Sequence, residues 1–217
     1  MKILALIMML LWLVLFSAPR SWTEQAIAEY GPIELATALG YFIAAAMLWM
    51  SRSNRRWSTE GIEIVFLITG GLREMDIQRI TSSYAVTLPY FLTRKTPVWE
   101  MLLVIAVLSL LLVLGLRLVL SHGKGFVAGL KARQSANISV AFALGLMCFT
   151  VALDRFAAVL NHRFGGGANP MVYTLWIFEE TLELTIPVFF CLAVIQSATH
   201  HAEESPPHHC LTRNPVL

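Results

Sequence analysis

The stretch WIFEETLELTIPVFF, residues 176–190, sets Glu179, Glu180 and Glu183 inside a run otherwise suited to lipid. On a helix the three carboxylates project within about 100° of arc, with Phe178, Leu184 and Val188 on the other side. Acids this close cannot all ionise cheaply, so they titrate as one coupled unit. Such a group binds protons, a cation or a polar ligand, or it anchors buried ion pairs. Pro187 bears on the same place. Having no N–H, it cannot serve the carbonyl four residues earlier, which belongs to Glu183. A kink and a spare acceptor therefore fall beside the acids, useful to a cation or water, or simply to packing.

Further acids lie in other apolar runs: Glu34 in GPIELATALGYFIAAA, Glu74 and Asp76 in LREMD, and Asp154 beside Arg155. Arg73 and Arg155 are the charge-balancing candidates, with His162 a third possible partner. An acid near a helix centre costs about 2.5–3.5 kcal/mol on insertion scales, while Leu, Ile, Phe or Val returns only about 0.3–0.6. The acid-bearing helix is thus not expected to stand alone in lipid; it needs other helices or a wet cavity against its acidic face.

The elements that must hold these residues follow from composition. Of 217 residues 57% are hydrophobic and 14% charged, against about 25% charged in soluble domains. Mean hydropathy is +0.66. This is an all-α pattern, a polytopic transmembrane helical bundle. One membrane domain is expected over 1–196, with about six spans near 3–18, 31–50, 61–80, 97–120, 138–160 and 171–195. Five remain if the first is a cleaved signal, although Phe16-Ser17-Ala18 is a poor cleavage site. Residues 197–217 read as a polar cytoplasmic tail. Ala36, Gly40 and Ala44 form a small-xxx-small stripe for a close helix neighbour. The third span either continues past Gly70-Gly71 with its polar end shielded or breaks there. The Leu-rich 97–120 span reads as peripheral and lipid-facing.

Orientation follows from Lys and Arg in short loops. Lys2, the Arg52/Arg55/Arg56 group and Lys124, Lys131 and Arg133 fall on one side, which is therefore cytoplasmic. Arg20, Arg94, Lys95 and Arg163 fall on the other. The acids of four helices then share the outer half of the membrane.

The net charge of +2, without a basic stripe, excludes nucleic acid as a partner. Cys148, Cys191 and Cys210 form no CxxC or disulfide framework. Metal chemistry is left open: His200, His201, His208, His209 and Cys210 in the tail could bind a transition metal, but a disordered polar tail is the better explanation of them. No cofactor is indicated. The Ser82-Ser83-Tyr84 run lacks the companions of a known nucleophile motif.

Together the Glu34 segment, Leu72-Arg73-Glu74-Met75-Asp76 and the Glu179-Glu180-x-x-Glu183 pattern resemble a group of uncharacterised bacterial multi-pass inner-membrane proteins with an LRE-x-D motif. The resemblance covers most of residues 30–195. It implies bacterial inner-membrane placement and gives weight to Arg73, Glu74, Asp76, Glu180 and Glu183, but names no reaction. Ile77 and Gln78 stand where that group has an aromatic residue and then histidine, which tells against a metal role there. The expected function is proton- or cation-linked transport or sensing through the acidic site, with the bilayer and a proton, cation or small polar ligand as partners. The alternatives are a structural or assembly protein held by buried ion pairs and, third, a membrane-embedded enzyme.

Overall fold

The computed structural model describes residues 2–27, 31–51, 57–75, 97–164 and 170–204. All regular structure among them is helical: α1 (Lys2–Ser17), α2 (Arg20–Ala26), α3 (Pro32–Met50), α4 (Trp57–Glu74), α5 (Val98–Lys131), α6 (Ser135–Phe164) and α7 (Pro170–Glu204). Four of them, α3, α5, α6 and α7, are long and apolar enough to cross a membrane. The expectation of six spans is thus met for four helices. The 16 residues of α1 reach only about 24 Å, short of a hydrocarbon core of about 30 Å. The 18 residues of α4 include Glu60, Glu63, Arg73 and Glu74, too polar for an ordinary span.

The helix α7 is the hub, packing against α6, α3 and α1, while α4 packs on α3. One core joins Tyr41, Ala44 and Ala45 of α3 to Leu67 of α4, Ala143 of α6 and Ile186 and Phe189 of α7. A second joins Leu15, Ala26, Ile33 and Ile177 at the opposite end of the bundle. These pairings make α3 parallel to α7, with α1, α4 and α6 running the other way. The helices α3 and α7 therefore start at the same end, and α1, α4 and α6 finish there.

Close approach depends on small residues. A Cβ on Gly71 would lie 2.8 Å from the Phe42 ring, and one on Gly70 3.1 Å from Tyr41. The Gly70-Gly71 pair is where α4 lies down on α3, and the helix runs through it to Glu74 without a break. A Cβ on Gly40 would come 2.9 Å from the Pro187 ring, which is itself fully buried. Two members of the small-residue stripe meet neighbours in this way: Gly40 faces α7, Ala44 is wholly buried, and Ala36 is exposed.

Three helices are longer than their apolar runs. The 34 residues of α5 span about 51 Å, so the helix continues well past Leu120. The connector to α6 shrinks to residues 132–134. There Arg133 takes a left-handed conformation (φ 56°), with its N–H donating to the Leu130 carbonyl and that of Gln134 to Gly129. This is a Schellman ending with arginine in glycine's place. The helix α7 continues to Glu204, so the first part of the expected polar tail is helical. The apolar body of α5 is unburied throughout, as a lipid-facing helix should be.

Candidate functional site

The shared starting end of α3 and α7 gathers the acids. Glu34 sits in the first turn of α3, entered through Pro32 at a position where a missing N–H costs nothing. Glu74 closes α4. Asp154 lies in the final third of α6, and Glu179, Glu180 and Glu183 lie two to four turns into α7. Glu180 is in electrostatic range of Glu34, Glu74, Glu179 and Glu183, and Glu183 in range of Arg73, Asp154 and Glu34. Carboxylates from four helices thus meet at one level of the bundle.

The cluster has two parts. In the inner part the Arg73 guanidinium lies 3.4 Å from Glu183 and 3.5 Å from Glu74, tying α4 to α7. Both acids are enclosed, Glu74 being 8% and Glu183 14% exposed. The Thr150 hydroxyl, which donates to the Met147 carbonyl at 3.2 Å, also faces Glu183. Tyr41 of α3 stands within electrostatic range of Arg73, Glu74 and Glu183.

The outer part is open. A cavity of about 420 Å³ lies between α2, α6 and the first half of α7. Its lining combines the acids Glu24, Asp154, Glu179 and Glu180 with the aromatics Tyr173 and Trp176, and with Arg20 and Ile27. Glu179 and Glu180 are half-buried and make no hydrogen bond or ion pair among the described residues. Arg20 is engaged. It donates to Glu24 at 2.8 Å, and its guanidinium carbon lies 5.1 Å from the centre of the Tyr173 ring. The short helix α2 that carries it is pinned by Thr23, whose hydroxyl donates to the Leu15 carbonyl at 3.0 Å.

Arg155 does not join the cluster. It is 79% exposed, and its nearest carboxylate is its chain neighbour Asp154 at 4.0 Å. Asp76 lies outside the described residues, as do Ser82, Ser83, Tyr84, His208, His209 and Cys210. His162 is exposed near the end of α6. Among the described residues no three His, Cys, Asp or Glu side chains converge as a metal site would require. The sequence reading did not single out Arg20, Tyr173, Trp176, Tyr41 or Thr150. A signal for two of them was available: Tyr173, Trp176 and Glu180 at i, i+3 and i+7 share one helical face.

No family model, curated protein or solved structure matches the chain.

Proposed function

We infer that the chain is a multi-pass protein of a bacterial inner membrane that moves or senses protons or cations through this acidic site. In this reading α1 and α4 also cross the bilayer, giving six spans. The acids lie in the outer half, and the C-terminal end of α7 is cytoplasmic. Exposed Lys124, Lys131 and Arg133 at the far end of the bundle support that orientation. The resemblance of the LREMD and EE-x-x-E segments supports the bacterial placement.

The carrying observation is the pair Glu179 and Glu180. They stand at a cavity, with no cation bound to them by the described chain, one step from an Arg-bridged pair of enclosed carboxylates. Ionisable groups inside a membrane bundle are costly and mark ion pathways or relays unless they are paired. Glu180 and Glu179 are the acceptors, Glu34 and Asp154 flank them, and Arg73 balances the inner acids.

The structural reading has one observation of its own: Arg73 bridges Glu74 and Glu183 and so fastens α4 to α7. The two readings divide the cluster, with scaffolding at Arg73 and exchange at Glu179 and Glu180.

The test uses full-length protein in liposomes containing a pH-sensitive dye, with proton and sodium gradients imposed in turn. The expected result is faster decay of a gradient than in empty vesicles, returned to background by Glu180→Gln while the melting temperature holds. For sensing, Trp fluorescence of the detergent-solubilised protein should show a pH- or cation-dependent step that Glu180→Gln abolishes. Absence of both effects in the wild-type protein refutes the reading.

A further inference from the structure

The cavity carries more than acidity. Its volume of about 420 Å³ falls within the roughly 300–1,000 Å³ typical of small-molecule sites. A proton needs no such space. A metal ion needs ligands converging on a point, and among the described residues they do not converge. Tyr173 and Trp176 both line it, and the faces of such rings attract organic cations. The acids of the lining supply the opposite charge.

A second observation shows what this lining accepts. The chain has placed one of its own cations there: the Arg20 guanidinium, gripped by Glu24 and lying over Tyr173. Among the described residues that cation meets the Glu24 carboxylate and the Tyr173 ring. Trp176, Glu179 and Glu180 are left without a hydrogen bond or ion pair among the described residues. The cavity is therefore built like a cation cage that is half filled from within.

We propose that the cavity binds a small organic cation, a primary ammonium or guanidinium compound of a few carbons. Its apolar part lies on Trp176 and its charged end meets Glu180 and Glu179. This rests on the reading of Glu179 and Glu180 as exchange sites and names the class of ligand they serve.

Isothermal titration calorimetry of agmatine into the full-length protein in detergent, against sodium chloride at equal ionic strength, tests the proposal. The expected result is saturable one-site binding. Glu180→Gln should weaken it about tenfold or more and Trp176→Ala severalfold. Arg20→Gln should tighten it by removing a competing charge. A measurement on the wild type alone guards against misfolded variants: 4-acetamidobutylurea, the uncharged counterpart of agmatine, should bind far more weakly. No saturable binding overturns the proposal. So does binding that ignores both Trp176→Ala and Glu180→Gln, or that treats the uncharged compound as equal. Proton flux sensitive to Glu180→Gln without agmatine binding would overturn this inference and leave the transport reading standing. Agmatine binding without flux would support the cage and count against transport.

Discussion

Replacing Arg73 with alanine separates the holding acids from the exchanging ones. The guanidinium is the cation that Glu183 and Glu74 share among the described residues, so its loss leaves two enclosed carboxylates without it. Removing one partner of a fully buried pair costs about 3–5 kcal/mol. An exposed pair is worth about 0.2–1 kcal/mol. Arg73 is 53% exposed, and its separations of 3.4 and 3.5 Å exceed the roughly 2.7–2.9 Å of a strong charge-assisted bond. Each contact therefore belongs between those limits, at about 1 kcal/mol, and Arg73→Ala should cost about 2 kcal/mol. For a chain of this size that lowers Tm by about 4–8 °C. Glu183→Gln keeps an acceptor oxygen and loses one charge pair, about 1 kcal/mol or 2–4 °C. Arg73→Lys restores roughly half: one guanidinium nitrogen faces both carboxylates, and an ammonium can share its charge between them but is more strongly hydrated and reaches less far. Glu180→Gln removes no hydrogen bond or ion pair among the described residues and should melt within about 0.5 kcal/mol of the wild type. Thermal unfolding of the four variants in one detergent gives the order directly. A Glu180→Gln variant as unstable as Arg73→Ala, or an Arg73→Ala variant as stable as the wild type, refutes the division of the cluster.

Two further outcomes follow from the packing and the charge distribution. Alanine at Gly71 meets Phe42 and the Ala38 carbonyl and should destabilise by about 1–3 kcal/mol, whereas alanine at Gly61, with nothing within 4 Å, should be neutral or stabilising by up to about 1 kcal/mol; thermal melts compare the two. Single cysteines at Glu24 and Lys124, in a background lacking the native cysteines, should label from opposite sides: a membrane-impermeant maleimide reaches the first in intact cells and the second only after permeabilisation.

Alternation of helix direction made the meeting of the acids legible in the sequence. Once the runs are ordered, Glu34, Glu74, Asp154 and the α7 glutamates must fall at one level. The peripheral place of α5, unburied along its apolar run, was legible too, since an unbroken Leu-rich run offers nothing to pack specifically. Rotation about the helix axis was harder to read. Asp154 and Arg155 share a depth but differ by about 100° around α6, so turning Asp154 to the cavity sends Arg155 outward. Glycine was ambiguous as well. Gly70-Gly71 reads as a break by propensity, about 1 kcal/mol per residue, and the contacts with Tyr41 and Phe42 that only glycine permits offset that cost. The extra turns of α5 were hidden because hydropathy reports affinity for lipid, and residues 121–131 are helical without being greasy.

Beyond the acid level the bundle closes on an apolar core. Tyr41, Ala44, Ile186 and Phe189 close the core, and the Pro187 ring is seated on Gly40. The buried hydroxyls of Thr37, Thr181 and Thr185 donate to carbonyls one turn back in their own helices, at 3.0, 2.7 and 2.9 Å. They are satisfied within their own helices, and the polar link between helices lies further on, where the buried Ser139 hydroxyl donates to the Gln196 side chain at 2.8 Å. The cavity's lining thus lies at the acid end, and this apolar core is its floor toward the Lys124 end. A sensor can work in this one state. A transporter cannot, because its cargo must pass the floor. The seam between α3 and α7 at Gly40 and Pro187 is where passage would require movement. There the helix already lacks the backbone bond to the Glu183 carbonyl, so bending costs less than in the unbroken turns around it. Transport through this chain thus demands a second arrangement of the Gly40–Pro187 contact, while sensing demands only a change of charge at Glu179 and Glu180.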